Sequence, residues 1–342
     1  MSLIRAAIIG AGGAGRHHAK ILLETGKYTL AAFCDTQEQA RAGVEKDFPG
    51  VPFHNSLDGL FSKEKLDVVT IATPHNLHRE HAIAAVRAGV NAIVEKPMAT
   101  HYADTQAMIA AAKESKKFLT VYHNRRLDPW FLSAMSVIND GLLGNVVELF
   151  SGIGYGTGWS LKASSDLPWR AYKEASGGLM FDWGAHLVDY LLNFAKSEVD
   201  TVTGHLYKIP GKDSKLNEDH GSVTIRFKSG AIANMMVSGI LYGSTPRYRL
   251  FGDKGTYIDD WNWDEKTGKG KLSTRLSSGE TVNMDIGYRN IHPGREYYER
   301  IAKTIKDGEP LLVSAESAAL IINVICAAEK SASKGGVPVK LE

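Results

Sequence analysis

The chain has 342 residues, 44% of them hydrophobic and 23% charged, and 40 Lys+Arg against 38 Asp+Glu give a formal charge of +2. Ample apolar content with little net charge excludes a disordered polyelectrolyte, and near neutrality gives no global reason to expect nucleic acid or an acidic membrane as partner. Cys34 and Cys326 are too few and too far apart for a disulfide scaffold, which fits a reducing, cytoplasmic setting.

At roughly 100–200 residues per domain, the length suggests about two domains. Residues 3–9, apolar except for Arg5, lead straight into glycines with no small-residue cleavage pattern, and 5–9 is the strand-like part. They read as a buried strand rather than an export signal. Further strands are expected at 28–34, 67–72, 91–94 and 118–122, separated by helical patterns at 14–25, 37–47, 77–88 and 102–115. The strand runs are continuously apolar rather than alternating, which marks burial on both faces. An N-terminal doubly wound parallel sheet follows.

A helix is expected at 129–139, stopped by Asp140-Gly141. After about residue 144 the rhythm changes to strands at 146–152, 201–209, 221–227, 231–238, 248–251 and 255–258, joined by short turn signals. One strong helix, 178–194, interrupts them, and helices at 294–307 and 315–333 close the chain. This is an α+β domain with a large, mostly antiparallel open sheet. The division falls as residues 1–123 and 124–342, with the C-terminal helix able to pack back on the first domain. Gly268-Lys269-Gly270-Lys271 reads as a solvated hairpin tip, and the apolar stretch 318–328, broken by Asn323, is too short to span a bilayer.

Gly10-Ala11-Gly12-Gly13-Ala14-Gly15 matches G-x-G-x-x-G between the first strand and the first helix. In that pattern the first glycine makes the tight turn, the second lets backbone approach a pyrophosphate, and the third permits close helix–strand packing. The helix N-terminus offers its free N–H groups to phosphate. Asp35 ends the second strand about 20 residues on, placed to accept hydrogen bonds from ribose hydroxyls. No Arg or Lys lies between Thr36 and Ala40, and Arg41 is the first, which favours NAD over NADP.

Ala72-Thr73-Pro74-His75-Asn76 and Glu95-Lys96-Pro97 sit at carboxyl ends of predicted parallel strands, where open α/β sheets bind ligands. A fixed cation at Lys96 suits a carbonyl or hydroxyl oxygen beside a nicotinamide, although a surface lysine paired with Glu95 reads equally well. In Gly177-Gly178 to His186, Asp182 and His186 are four apart and share a helix face. A carboxylate there fixes the imidazole tautomer and stabilises its charged form. His186 can then take a proton from an alcohol as hydride leaves. The same apolar segment also reads as a core helix with a satisfied Asp–His pair. His75, His78 and His81 follow a three-residue spacing that does not converge on an ion, so no metal is expected. His17-His18 either shapes the cofactor pocket or faces solvent.

In this order the motifs resemble the glucose–fructose oxidoreductase, inositol dehydrogenase and rhizopine-catabolism (Gfo/Idh/MocA) family. The residues carrying the resemblance are the Gly10–Gly15 fingerprint, Asp35, Thr73-Pro74, Glu95-Lys96-Pro97, Asn124-Arg125-Arg126-Leu127-Asp128, and Gly177-Gly178 leading to Asp182 and His186. Leu127 departs from the family's aromatic residue. The resemblance implies an NAD-dependent oxidoreductase acting on a sugar, sugar acid or cyclitol, with cofactor and substrate meeting between the domains. It also implies a homodimer or homotetramer formed through the C-terminal sheet.

On this view Lys96, Asp182 and His186 are catalytic, Lys96 positioning the reacting oxygen and His186, oriented by Asp182, moving the proton. The dinucleotide would be held by Gly10, Gly12, Gly13, Ala14, Gly15, Asp35, Thr36, Ala72, Thr73, Pro74, His75, Asn76, His78, Glu95, Lys96 and Asn124. Trp169-Arg170 resembles a pair found near the nicotinamide in part of the family. Substrate would meet Lys96, Asn124, Arg125, Asp182, Trp183, His186 and Tyr242. Trp183 replaces a smaller residue of some inositol-using members, which counts against inositol itself. An NAD-dependent glycosidase using transient oxidation and a non-catalytic, dinucleotide-gated sugar sensor are the alternatives on this fold.

Overall fold

Five of the six residues of β1 (Ile4–Ile9) are buried, because the strand runs through the middle of a sheet packed against helices. The computed structural model describes residues 2–154, 167–261 and 268–342. From β1 the chain continues through α1 (Gly13–Glu24), β2 (Tyr28–Cys34), α2 (Glu38–Asp47), β3 (Phe53–His54), α3 (Leu57–Lys63) and β4 (Val68–Ile71). A 3-10 turn (His75–Leu77) leads into α4 (His78–Arg87), followed by β5 (Asn91–Val94), α5 (Tyr102–Glu114) and β6 (Leu119–Val121). The strands lie in the order β3-β2-β1-β4-β5-β6, every pair parallel. The order reverses between β1 and β4, so the connections leaving their carboxyl ends run to opposite faces of the sheet and leave the crevice where this sheet type takes its ligand.

Ile8, Ala11, Ala19, Phe33, Val44 and Phe48 form one buried cluster beneath α1 and α2, each large side chain contributing about 1.5–3 kcal/mol by leaving water. The sequence reading contained neither β3 nor α3. β3 is only two residues long, too short for a periodic signal. The start of α3 depends on a local cap, Ser56 Oγ accepting from Gly59 N at 3.1 Å.

The second sheet uses the opposite pattern. Its elements are α6 (Pro129–Asn139), β7 (Val146–Gly154), α7 (Lys173–Ser176), α8 (Ala185–Ala195), β8 (Val199–Tyr207), β9 (His220–Phe227) and β10 (Ile232–Ser238). They continue with β11 (Pro246–Gly252), β12 (Gly255–Asp260), β13 (Lys269–Arg275), β14 (Thr281–Gly287), α9 (Pro293–Asp307) and α10 (Ala315–Ser333). The eight strands run in the order β14-β13-β12-β11-β7-β10-β9-β8. All neighbours are antiparallel except β7 and β10. Burial alternates along β9 and β13, as expected for a sheet with helices on one face, and α6 and α8 supply that cover. Lys269 and Lys271 are not a hairpin tip: they start β13, where they alternate with buried Gly270 and Leu272.

Met1–Asn124 and Gly294–Ile322 group as one compact unit, and Arg125–Pro293 with Asn323–Glu342 as a second. Residues 294–322, counted by sequence with the second domain, thus fold with the first. The reason lies in α9, whose buried Tyr297 and Tyr298 bond to Val121 O (3.0 Å) and Thr70 Oγ1 (3.0 Å). Among the described residues no helix is long and apolar enough to cross a membrane.

Candidate functional site

In the first unit the glycine turn divides into residues the fold needs and residues it does not. Gly10 has φ +93°, and a Cβ there would lie 2.7 Å from the Ala72 carbonyl. A Cβ on Gly15 would lie 1.8 Å from Gly10 O. Gly12 and Gly13 face open space, with nothing within 4 Å of a Cβ on either. Gly12 starts α1 without a side-chain cap, so the first-turn N–H groups present their positive end to that space. This bare cradle fits a dinucleotide pyrophosphate.

Asp35 braces the turn. Its Oδ2 accepts from Ala11 N (2.7 Å) and its Oδ1 from Gln37 N (2.9 Å). A carboxylate oxygen has more than one acceptor site, so Asp35 retains capacity for a ribose hydroxyl. Thr36 beside it is exposed. Arg41 pairs with Glu38 at 2.9 Å and lies 4.5 Å from the Phe53 ring centre.

Glu95 and Lys96 follow β5, whose last hydrogen bond joins Glu95 N to Ile71 O (2.8 Å). Glu95 Oε1 accepts from His18 Nε2 (2.8 Å), and Oε2 accepts from Lys96 N (2.9 Å). His18 Nδ1 lies 2.9 Å from Tyr298 Oη, which lies 3.0 Å from Thr70 Oγ1, so the ring is hydrogen-bonded on both sides. Burial opposes the Glu95 charge, but the hydrogen bond and charge of His18, with Lys96 and His78, bring its pKa down to about 2. His18 is therefore a positioning residue of this half-site, and His17 is exposed. Only the mixed reading of the pair on α1 was available from sequence.

His78 is fully buried. Its Nδ1 meets Pro97 O at 2.8 Å and its Nε2 meets Thr73 O at 3.0 Å. The ring clasps the ends of β4 and β5 through their main chains, so its link to a cofactor runs through Thr73 and Pro97. Burial lowers its pKa, although both carbonyls favour the charged form. His75 is also buried, 5.6 Å from His78 between ring centres. Asn76 is exposed, and Ala72, Thr73, Pro74 and Lys96 are half-buried. Among the described residues no group of three or more His, Cys, Asp or Glu could hold a metal.

In the second unit the predicted helix over 178–194 is interrupted. Met180–Gly184 forms a π-helical turn before α8, a local widening that occurs frequently at functional sites. Its start depends on Gly177 (φ +81°) and Gly178 (φ +120°). The space left by the missing Gly178 side chain is taken by Glu218, whose Oε1 would lie 2.6 Å from a Cβ there. Glu218 Oε1 accepts from Met180 N (3.1 Å), and Oε2 accepts from Lys173 Nζ (3.2 Å). Sequence reasoning missed Glu218 because its partners lie about 40 residues away with no pattern to link them.

Asp182 Oδ1 accepts from Arg170 Nη1 at 3.2 Å, joining two predicted site residues that the sequence left in separate segments. Arg170 also lies 4.6 Å from the Trp169 ring centre. His186 is 6% exposed in the first turn of α8, its ring 5.7 Å from Trp183 in an edge-on arrangement. Arg125 sits 4.9 Å over Trp183 and pairs with Asp128 at 3.0 Å. Its neighbour Arg126 grips buried Asp189 on α8 at 2.7 Å. Asn124 is half-buried at the start of the Asn124–Leu127 turn. Tyr242 is 77% exposed, one residue before a stretch that lines a cavity of about 690 Å³ with Trp183 and Trp261.

Comparison with known proteins finds matches over both units. A family profile described as "Oxidoreductase family, NAD-binding Rossmann fold" matches residues 4–123, and the GFO/IDH/MocA C-terminal domain profile matches residues 131–258. A scyllo-inositol 2-dehydrogenase (NADP(+)) of Bacillus subtilis is 24% identical over 360 residues, covering 97% of this chain and 94% of its own. Two solved structures share the fold. The aldose-aldose oxidoreductase of Caulobacter crescentus, complexed with glycerol, has a TM-score of 0.85 at 23% identity, covering 99% of this chain and 100% of its own. A levoglucosan dehydrogenase in complex with NADH has a TM-score of 0.86 at 20% identity, covering 100% of both chains. Profiles of one family thus match the first sheet and most of the second, and the chain belongs to the Gfo/Idh/MocA family of oxidoreductases.

Proposed function

We propose that this oxidoreductase transfers hydride between a nicotinamide dinucleotide and a carbinol carbon of a sugar, sugar acid or cyclitol. The observation that carries the reading is His186, a buried imidazole set edge-on against Trp183, itself a wall of a large polar and aromatic cavity. An imidazole so placed can accept the hydroxyl proton as hydride departs and return it in the reverse direction. Asp182, with Arg170, sets the charge beside that segment. Lys96 supplies the cation for the developing alkoxide, its main chain held by Glu95. When bound, the dinucleotide supplies the hydride acceptor; the N–H groups after Gly12 and the Asp35 carboxylate hold it.

NAD is the preferred form in this reading, because Asp35 directly follows β2 and Arg41 is engaged by Glu38 and Phe53. The Bacillus relative carries NADP(+) in its name, so both forms belong in the test. The substrate is a small polyhydroxylated molecule. The assembly is a homodimer or homotetramer formed through the second sheet, whose face opposite α8 carries the incompletely buried Phe150 and Met236. Light scattering of the purified protein tests that assembly, with a monodisperse monomer contradicting it.

The activity test is a panel of aldoses, sugar acids and cyclitols, scored for reduced dinucleotide with NAD and NADP in parallel. Reduction of NAD by at least one member is expected. Release of an aryl leaving group from a glycoside without net reduced dinucleotide would replace the dehydrogenase by a redox-assisted glycosidase. A clear preference for NADP would overturn the role given to Asp35.

A further inference from the structure

Resting on the carbohydrate reading above, we infer that the second unit carries a subsite for an additional sugar ring, so that the substrate is a disaccharide or glycoside rather than a free monosaccharide. The site is the cavity of about 690 Å³ at the ends of β7, β11 and β12. At about 30 Å³ per water it has room for about 23 waters, well beyond what one six-membered ring displaces.

Its chemistry is that of carbohydrate recognition. Trp183 and Trp261 meet edge to face, 6.0 Å apart at 88°, and give the cavity a corner of aromatic surface against which the C–H faces of pyranose rings pack. Trp261 is rigidly held: its Nε1 donates to Gly152 O at 2.7 Å, and the Arg247 guanidinium lies 4.9 Å over its ring. Arg247 is fixed in turn by Asp259 at 3.0 Å, both side chains 0% exposed. Polar groups complete the wall: the hydroxyls of Ser244 and Thr245, the Arg249 guanidinium and the Asp260 carboxylate. Arg249 and Asp260 are exposed, and neither forms an ion pair or side-chain hydrogen bond with another described residue. A cation and a carboxylate so placed bond paired sugar hydroxyls as donor and acceptor. The link to the reacting end is Trp183, which touches the proposed acid/base His186 on one side and Trp261 on the other.

The experiment compares kcat/KM for cellobiose, maltose and lactose with glucose and galactose, and for a galactosyl-inositol with myo-inositol, in the wild type, Arg249→Ala and Asp260→Asn. At least one two-ring substrate is expected to exceed its component by about tenfold. Each substitution should then cost that substrate about tenfold more than it costs the single ring, mainly through KM. Saturation-transfer NMR with the same sugars reads binding independently of turnover, and should show both rings in contact in the wild type but one weakened in Arg249→Ala. Turnover of single rings with no two-ring advantage, or equal losses on both, would overturn the subsite and leave the dehydrogenase intact. If no sugar reduces the dinucleotide, the dehydrogenase reading fails. Two-ring saturation lost in Arg249→Ala would then still support the subsite, and its absence would overturn it.

Discussion

Replacing Gly12 by alanine challenges the dinucleotide cradle while leaving the surrounding fold almost untouched. A Cβ at Gly12 meets nothing within 4 Å, and its φ of −65° is one that alanine adopts. The stability cost is that of a poorer N-cap, about 1 kcal/mol, or about 2–4 °C in melting temperature for a domain of this size. The new methyl instead occupies the space through which a pyrophosphate reaches the α1 N–H groups. Losing one such charge-assisted hydrogen bond costs about 1.5–3 kcal/mol, so the Kd for NADH should rise by roughly 10- to 150-fold. Gly15→Ala is the contrasting variant: its Cβ would lie 1.8 Å from a main-chain oxygen, costing at least about 3 kcal/mol and about 6–12 °C without any ligand. Thermal melts and NADH fluorescence titration on both proteins separate the two effects. If Gly12→Ala binds NADH and NADPH as tightly as the wild type, the cradle does not hold a dinucleotide.

Three further outcomes follow from the same geometry. Glu95 is held near pKa 2 in the folded chain against 4.5 unperturbed. Its stabilisation of roughly 3 kcal/mol is therefore complete above about pH 4.5 and is lost as pH falls toward 2. Urea melts from about pH 5 to about pH 3 should show the wild type losing stability faster than Glu95→Gln; parallel curves would contradict the His18–Glu95 pairing. Asp189→Asn leaves the Arg126 guanidinium without its charge partner in a buried setting, and denaturant unfolding should register about 3–5 kcal/mol. Gly178→Ala strains a φ of +120° by about 1–3 kcal/mol and displaces Glu218 from Met180 N. Its kcat should therefore fall by more than the small loss of melting temperature suggests, and an unchanged kcat would dissociate this turn from catalysis.

The parallel sheet was legible because short continuous apolar runs, bounded by turn residues and separated by helical patterns, read as strands buried on both faces, and Gly10, Gly12 and Gly15 mark where the first one ends. The two-residue β3 and the polar, alternating β13 and β14 were not, since their pairing is decided by neighbours distant in the chain. Lys269 reads as a tip lysine until Asp285 across the strand pair is known to bind it. Among site residues, types and positions were readable but partners were not. The four-residue spacing of Asp182 and His186 suggested a mutual pair on a regular helix. The structure shows a π turn there and adds Arg170 as a partner of Asp182, which the spacing did not signal. His78 looked like a ligand-facing residue beside Thr73; its ring is spent on two main-chain carbonyls. His18 and Glu218 act through contacts spanning about 80 and 40 residues, beyond any local periodicity.

One chemical step, hydride transfer coupled to a proton carried by His186 with Lys96 holding the oxygen, is the activity proposed for this protein. It is tested most directly by single-turnover reduction of saturating NAD by the best carbohydrate of the panel, with wild type, Lys96→Ala and His186→Ala compared at matched dinucleotide occupancy. A rate at least about 100-fold lower is expected in each variant, with each variant still folded and still able to bind NADH. Wild-type rates in both variants would contradict it.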